Sequence, residues 1–75
     1  MGPKDYNLRM ILYVNGKENK VSPEATVEQL VLNMGLSGKR IAVEVNQQII
    51  SRSLYEKYTL KENDRVEIVQ AIGGG

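Results

Sequence analysis

Three glycines, Gly73-Gly74-Gly75, close the sequence and place a carboxylate on Gly75. Glycine has no Cβ, so a run of it can lie extended in a channel too narrow for any side chain. A carboxylate is a poor electrophile, because its charge repels nucleophiles. Transfer of AMP from ATP would turn it into an acyl-adenylate with a good leaving group. Sulfide or a thiol could then take the acyl group, and the thiocarboxylate formed with sulfide would be a tethered sulfur nucleophile. The competing reading is a floppy end or an appended linker, since termini are commonly disordered. The glycines alone do not choose between the two.

The other residues offer little chemistry to compete with the terminus. The 75 residues include no cysteine and no histidine. That excludes thiolate nucleophiles, disulfides, Cys/His zinc sites and imidazole acid–base catalysis. The carboxylates are spread along the chain, with no pair spaced for glycosidase-like work. The basic residues are scattered too, although the adjacent Lys39-Arg40 could contact an acidic partner surface. A net charge of +1 gives no electrostatic case for nucleic acid. A domain of this size buries only about 60% of its unfolded surface and has little room for an enclosed pocket. No cofactor site of its own is expected.

No apolar run approaches the ~18 residues of a membrane span, and Met1 to Arg9 lacks the apolar core of a signal peptide. A small Cys-free domain needs no oxidising compartment, so a cytoplasmic location is expected. Residues 1–9 read as a disordered extension, 10–70 as the folded domain and 71–75 as a flexible glycine-rich tail.

The elements that must position the tail follow from pattern. Met10 to Val14 is short, apolar and partly β-branched, as a strand is. Asn15-Gly16 is a strong hairpin signal, and Lys17 to Val21 returns as a polar edge strand. Thr26 and Gln29 have capping-box spacing. Val27, Leu30, Val31 and Met34 then form one apolar helical stripe, and Gly35 is placed to stop the helix. Ile41, Val43 and Val45 alternate inward along a strand, and Gln48 to Ile50 forms a shorter one. Ser53 to Tyr58 reads as one helical turn, and Asn63 as a turn residue with positive φ. Arg65 to Gln70 is the last strand. One amphipathic helix cannot cover its stripe alone, so the fold class is α+β, a mixed sheet of four to five strands packed on one main helix.

Period-two alternation also sorts the faces. If Leu12 and Val14 face the helix, Ile11 and Tyr13 face away. Val66 and Ile68 likewise point inward, and Val69 outward. Ile11, Tyr13 and Val69 are therefore a candidate apolar docking patch near the tail, and Ile72, at the root of the tail, is counted with them. An equal alternative is that Tyr13 is an ordinary half-buried strand aromatic.

The segments MILYVNGKE at 10–18, EATVEQLVLNMGL at 24–36, IAVEVNQQIISRSLYEKYTL at 41–60 and NDRVEIVQAIGGG at 63–75 together resemble the ubiquitin-like ThiS/MoaD family of sulfur carriers, on its thiamin-biosynthesis side. The resemblance spans residues 10–75. It implies a β-grasp fold with parallel first and last strands, and a monomer when free. It implies adenylylation of Gly75 by a ThiF-type enzyme that uses ATP, while Gly73 and Gly74 thread into the partner's site. Sulfur drawn from a donor such as a cysteine desulfurase would convert Gly75 to the thiocarboxylate. A ThiG-type thiazole synthase would take that sulfur into the thiazole of thiamin. The chain itself would be a carrier and no enzyme. It departs from the family's common pattern at Asn46-Gln47, Ser51 and Asn63-Asp64, all in turns.

Two alternatives stay open on sequence. A related carrier could serve molybdopterin or another thio-product and share the Gly-Gly end. A regulatory or RNA-binding β-grasp module shares the Ala-Thr-Val helix start and the last strand. That reading rises if the glycines are not native.

Overall fold

Strand β1, Met10–Val14, buries every second side chain. The chain then reverses through Asn15 and Gly16, both at positive φ. A two-residue turn of that hand matches the twist of the strands it joins. It returns as β2, Lys17–Val21, antiparallel to β1 with Met10 opposite Val21. The computed structural model describes residues 9–71. The expected disorder of residues 1–9 falls, apart from Arg9, outside that range.

Helix α1, Val27–Asn33, starts at the expected box: Thr26 Oγ1 accepts the Gln29 N–H, and Gln29 Oε1 accepts the Thr26 N–H. Such a cap contributes about 1 kcal/mol. The Val27 and Glu28 amides are taken by the Tyr58 and Tyr55 carbonyls. The helix therefore begins with its first donors satisfied, and the 55–58 segment is anchored in return.

The helix ends differently from its periodic stripe. Val27, Leu30 and Val31 are buried, but Met34 is 38% exposed. Met34 is the helix's last cap, and Gly35 at φ +74 turns the chain left-handed directly after it. The Leu36 N–H bonds the Val31 carbonyl and the Gly35 N–H bonds the Leu32 carbonyl, which is the Schellman arrangement. Leu36 thereby comes to pack against the core.

Strands β3, Ile41–Val45, and β4, Gln48–Ile50, form a second hairpin through Asn46 and Gln47, both at positive φ. A short 3-10 turn, Arg52–Leu54, follows and begins one residue earlier than the sequence pattern indicates. Further turn bonds carry it on to Tyr58. The last strand, β5, Arg65–Gln70, enters the middle of the sheet. It runs parallel to β1 and antiparallel to β3. The strand order is β2-β1-β5-β3-β4, a mixed five-stranded sheet over one helix, as in the β-grasp.

Side chains from all five strands and the helix meet in one core, with Leu12, Leu30, Leu60, Val27, Val43, Val45 and Val66 almost wholly buried. Each such side chain contributes about 1.5–3 kcal/mol. The helix covers one sheet face, and among the described residues the other face is left open, with Tyr13 and Val69 exposed on it.

Candidate functional site

The site is built at the end of β5. Its ladder with β3 runs from Val66 opposite Val45 to Gln70 opposite Ile41. One further bond, Ala71 N–H to the Arg40 carbonyl at 2.9 Å, carries the pairing past the strand. Ile72, Gly73, Gly74 and Gly75 lie outside the described residues. The chain that leads to them is thus held in line up to Ala71.

On its other side β5 outlasts its neighbour. β1 pairs with it only at Tyr13 and Val14, and the Asn15 N–H then bonds the Val66 carbonyl. Beyond that point β1 has turned away. The Asn15 side chain fills the gap: Oδ1 accepts the Ile68 N–H at 2.9 Å, and Nδ2 donates to the Ile68 carbonyl at 3.2 Å. An unpaired backbone donor and acceptor on a buried residue would be costly.

The start of β5 is fixed by a second asparagine. Asn46 Oδ1 accepts the Arg65 N–H at 3.0 Å, and its Nδ2 donates to Asp64 Oδ1 at 2.9 Å. Asp64 Oδ2 also accepts the Lys61 N–H at 2.8 Å. The buried Asp64 carboxylate therefore has a donor on each oxygen.

The open face carries Ile11, Tyr13 and Val69, but not as one patch. Tyr13 sits beside Arg65 and Glu18, whereas Val69 lies opposite Ala42. Arg65 and Val69 are four residues apart on one strand, roughly 13 Å at about 3.3 Å per residue. Ile11 lies farther still from Val69 and is half-buried. The reason is the short parallel overlap of β1 with β5, which alternation cannot reveal. Glu67 and Glu44 face each other across the middle of the sheet. Like charges so placed repel, and they divide the two apolar ends.

Near the tail, Val69 is joined by exposed Ala42 and by Ala71, with Arg40 and Arg52 at the edges of the same depression. Ile49, 76% exposed, stands opposite Glu44 and so diagonal to Ala42. Ala42, Ile49 and Arg52 are not legible as site residues by alternation alone, because their relevance depends on strand order. Arg40 is singled out with Lys39 by charge, and strand order adds its place beside Ala71. Among the described residues no group of three or more His, Cys, Asp or Glu side chains converges as a metal site. No helix among them is long and apolar enough to cross a membrane.

Comparison with known proteins adds to this geometry. The sequence model of the ThiS family matches residues 7–75. The sulfur carrier protein ThiS of Bacillus subtilis is 35% identical over 66 residues, covering 87% of this chain and 100% of that protein. A thiazole synthase of Paramagnetospirillum magneticum is 39% identical over 66 residues, covering 88% of this chain and 20% of that protein. The chain thus spans about a fifth of the length of the thiazole synthases it matches. The crystal structure of a thiamine biosynthesis protein (ThiS) from Geobacter metallireducens matches with a TM-score of 0.75 at 30% identity, covering 88% of this chain and 100% of that one.

Proposed function

The chain belongs to the ThiS family, and we propose that it is a sulfur carrier of thiamin biosynthesis whose reactive group is the Gly75 carboxylate. The observation that carries this is the hold on β5. Its pairing runs to the Ala71–Arg40 bond, and the four residues after it include three glycines. A strand held on both sides can present a narrow tail to a partner without loosening the core.

In this reading a ThiF-type enzyme transfers AMP from ATP to the Gly75 carboxylate and releases pyrophosphate. Sulfide displaces AMP and gives the thiocarboxylate directly. A persulfide donor displaces AMP to give an acyl disulfide, which a second thiol cleaves to the thiocarboxylate while forming a disulfide with the donor. A ThiG-type thiazole synthase then takes the sulfur, and the carrier returns to the carboxylate. The carrier holds no ATP of its own and catalyses no step. Gly73 and Gly74 thread the partner's channel, where any Cβ would collide with the walls. The match to two thiazole synthases supports a thiazole-forming partner over a molybdopterin one. The docking surface proposed for that partner is the tail end of the open face, Val69 with Ala42 and Ile49, together with Ile72 of the segment that follows in sequence. Ile11 and Tyr13 lie at its far margin.

Reconstitution tests the pathway. The thiocarboxylate form, mixed with a thiazole synthase and its other substrates, should yield thiazole in proportion to the carrier consumed. Sulfur transfer to a molybdopterin precursor and none to thiazole would move the chain to the sister pathway.

A further inference from the structure

The rim where β5 releases the tail is basic. Arg40 directly precedes β3 and holds Ala71 through its carbonyl. Arg52 folds back from the 3-10 turn, and its Nη2 donates to the Lys39 carbonyl at 3.0 Å. Lys39, Arg40 and Arg52 are all exposed. Arg40 and Arg52 line one depression with Ile41, Ala42, Val69 and Ala71. Glu28 is the carboxylate that shares the neighbouring groove with Lys39 and Arg52.

Tail length makes this rim part of any site that receives the tail. Four residues, Ile72 to Gly75, follow the last ladder bond, and fully extended they reach at most about 14 Å. A partner that holds the Gly75 carboxylate must therefore bring its own surface against the rim. Charges on surfaces brought into contact there lie within the Debye length of about 8 Å at physiological salt and are only partly screened.

We infer that Arg40 and Arg52 form an electrostatic docking site for an acidic protein surface at the mouth of the enzyme that activates the tail. The inference rests on the tail reading given above. Guanidinium groups pair with carboxylates through two parallel hydrogen bonds. The bond to Lys39 already restrains Arg52, which lowers the cost of ordering it on binding. An apolar floor of Val69 and Ala42 with a charged edge is the anatomy of a protein interface. A nucleotide phosphate alone would leave that floor unused.

The test is the association rate of the full chain with its activating enzyme, without ATP, at about 50 mM and about 500 mM salt. Arg40→Glu is the deciding variant, because the Ala71 bond uses only the Arg40 backbone. Arg52→Glu is the second variant. Arg40→Lys keeps the charge. Lys20→Glu makes the same charge change on β2, beside Ile11 and away from the tail. Arg40→Glu and Arg52→Glu should each slow association at least about tenfold at low salt, with the gap closing at high salt. Arg40→Lys should restore most of the rate, and Lys20→Glu should change it little. Three results overturn the inference: no slowing by Arg40→Glu, equal slowing by Lys20→Glu, or an effect seen only when ATP is present. If the wild-type chain is never adenylylated, the tail reading itself fails. Normal adenylylation with an unaltered Arg40→Glu rate would sink the rim alone.

Discussion

The Asn15 side-chain amide closes both backbone hydrogen bonds of Ile68, which is 53 residues away in sequence. One side chain thus stands in for a strand residue that β1 no longer supplies. The tail-bearing strand owes its hold on that side to a hairpin turn, at a point where the turn residue is also at φ +51. Asparagine suits both demands, since it tolerates the left-handed region and carries a donor and an acceptor.

Asn15→Ala loses both bonds and forces an alanine into that conformation. It should destabilise the domain by about 2–4 kcal/mol, read from urea denaturation. Asn15→Gly loses the bonds without the strain and should cost about 1 kcal/mol less. In both variants the Ile68 amide should exchange with solvent far faster than the Val66 amide. Unchanged protection at Ile68 would mean that the clasp does not order β5.

Gln47 sits at φ +72 in the second hairpin, a strained position for a residue with a Cβ. Gln47→Gly should raise stability by about 0.5–1 kcal/mol, less than the full strain because glycine also loosens the unfolded chain. A shift of the urea midpoint with an unchanged slope is the expected reading. A fall in stability would show that Gln47 makes a contact worth more than its strain.

The divided open face ranks two substitutions that the sequence pattern treats alike. Val69→Lys, near the tail, should weaken binding to a thiazole synthase or an activating enzyme at least about tenfold, or ~1.4 kcal/mol. Tyr13→Lys, beside Arg65, should change it less than about twofold. Titration calorimetry on both variants, after far-UV spectra establish that each is folded, would separate them. The reverse order would put the docking surface at the β1 end.

Much of this arrangement is written in local pattern. The Asn15-Gly16 turn, the Thr26–Gln29 box and the inward alternation of Val43, Val45, Val66 and Ile68 each follow from nearest neighbours in the chain. Met34 shows where periodicity stops being enough. It fits the helical stripe, but the left-handed turn at Gly35 ends the helix before Met34 can be buried. The division between Tyr13 and Val69 needed register, because alternation fixes the face of a strand and never its offset along a neighbour. The roles of Asn15 and Asn46 needed the β5 pairing for the same reason. A turn signal shows that an asparagine fits the turn, and says nothing of which distant backbone its side chain will hold.

The central claim is that sulfur is carried on the Gly75 carboxylate. It is tested most directly by intact-mass and C-terminal fragment analysis after incubation with a ThiF-type enzyme, ATP and a sulfur donor. The acyl-adenylate should appear first, followed by a gain of about 16 Da confined to Gly75 as oxygen is exchanged for sulfur. A variant lacking Gly75 should show neither. Sulfur gained at any other residue, or by the truncated variant, would contradict the account.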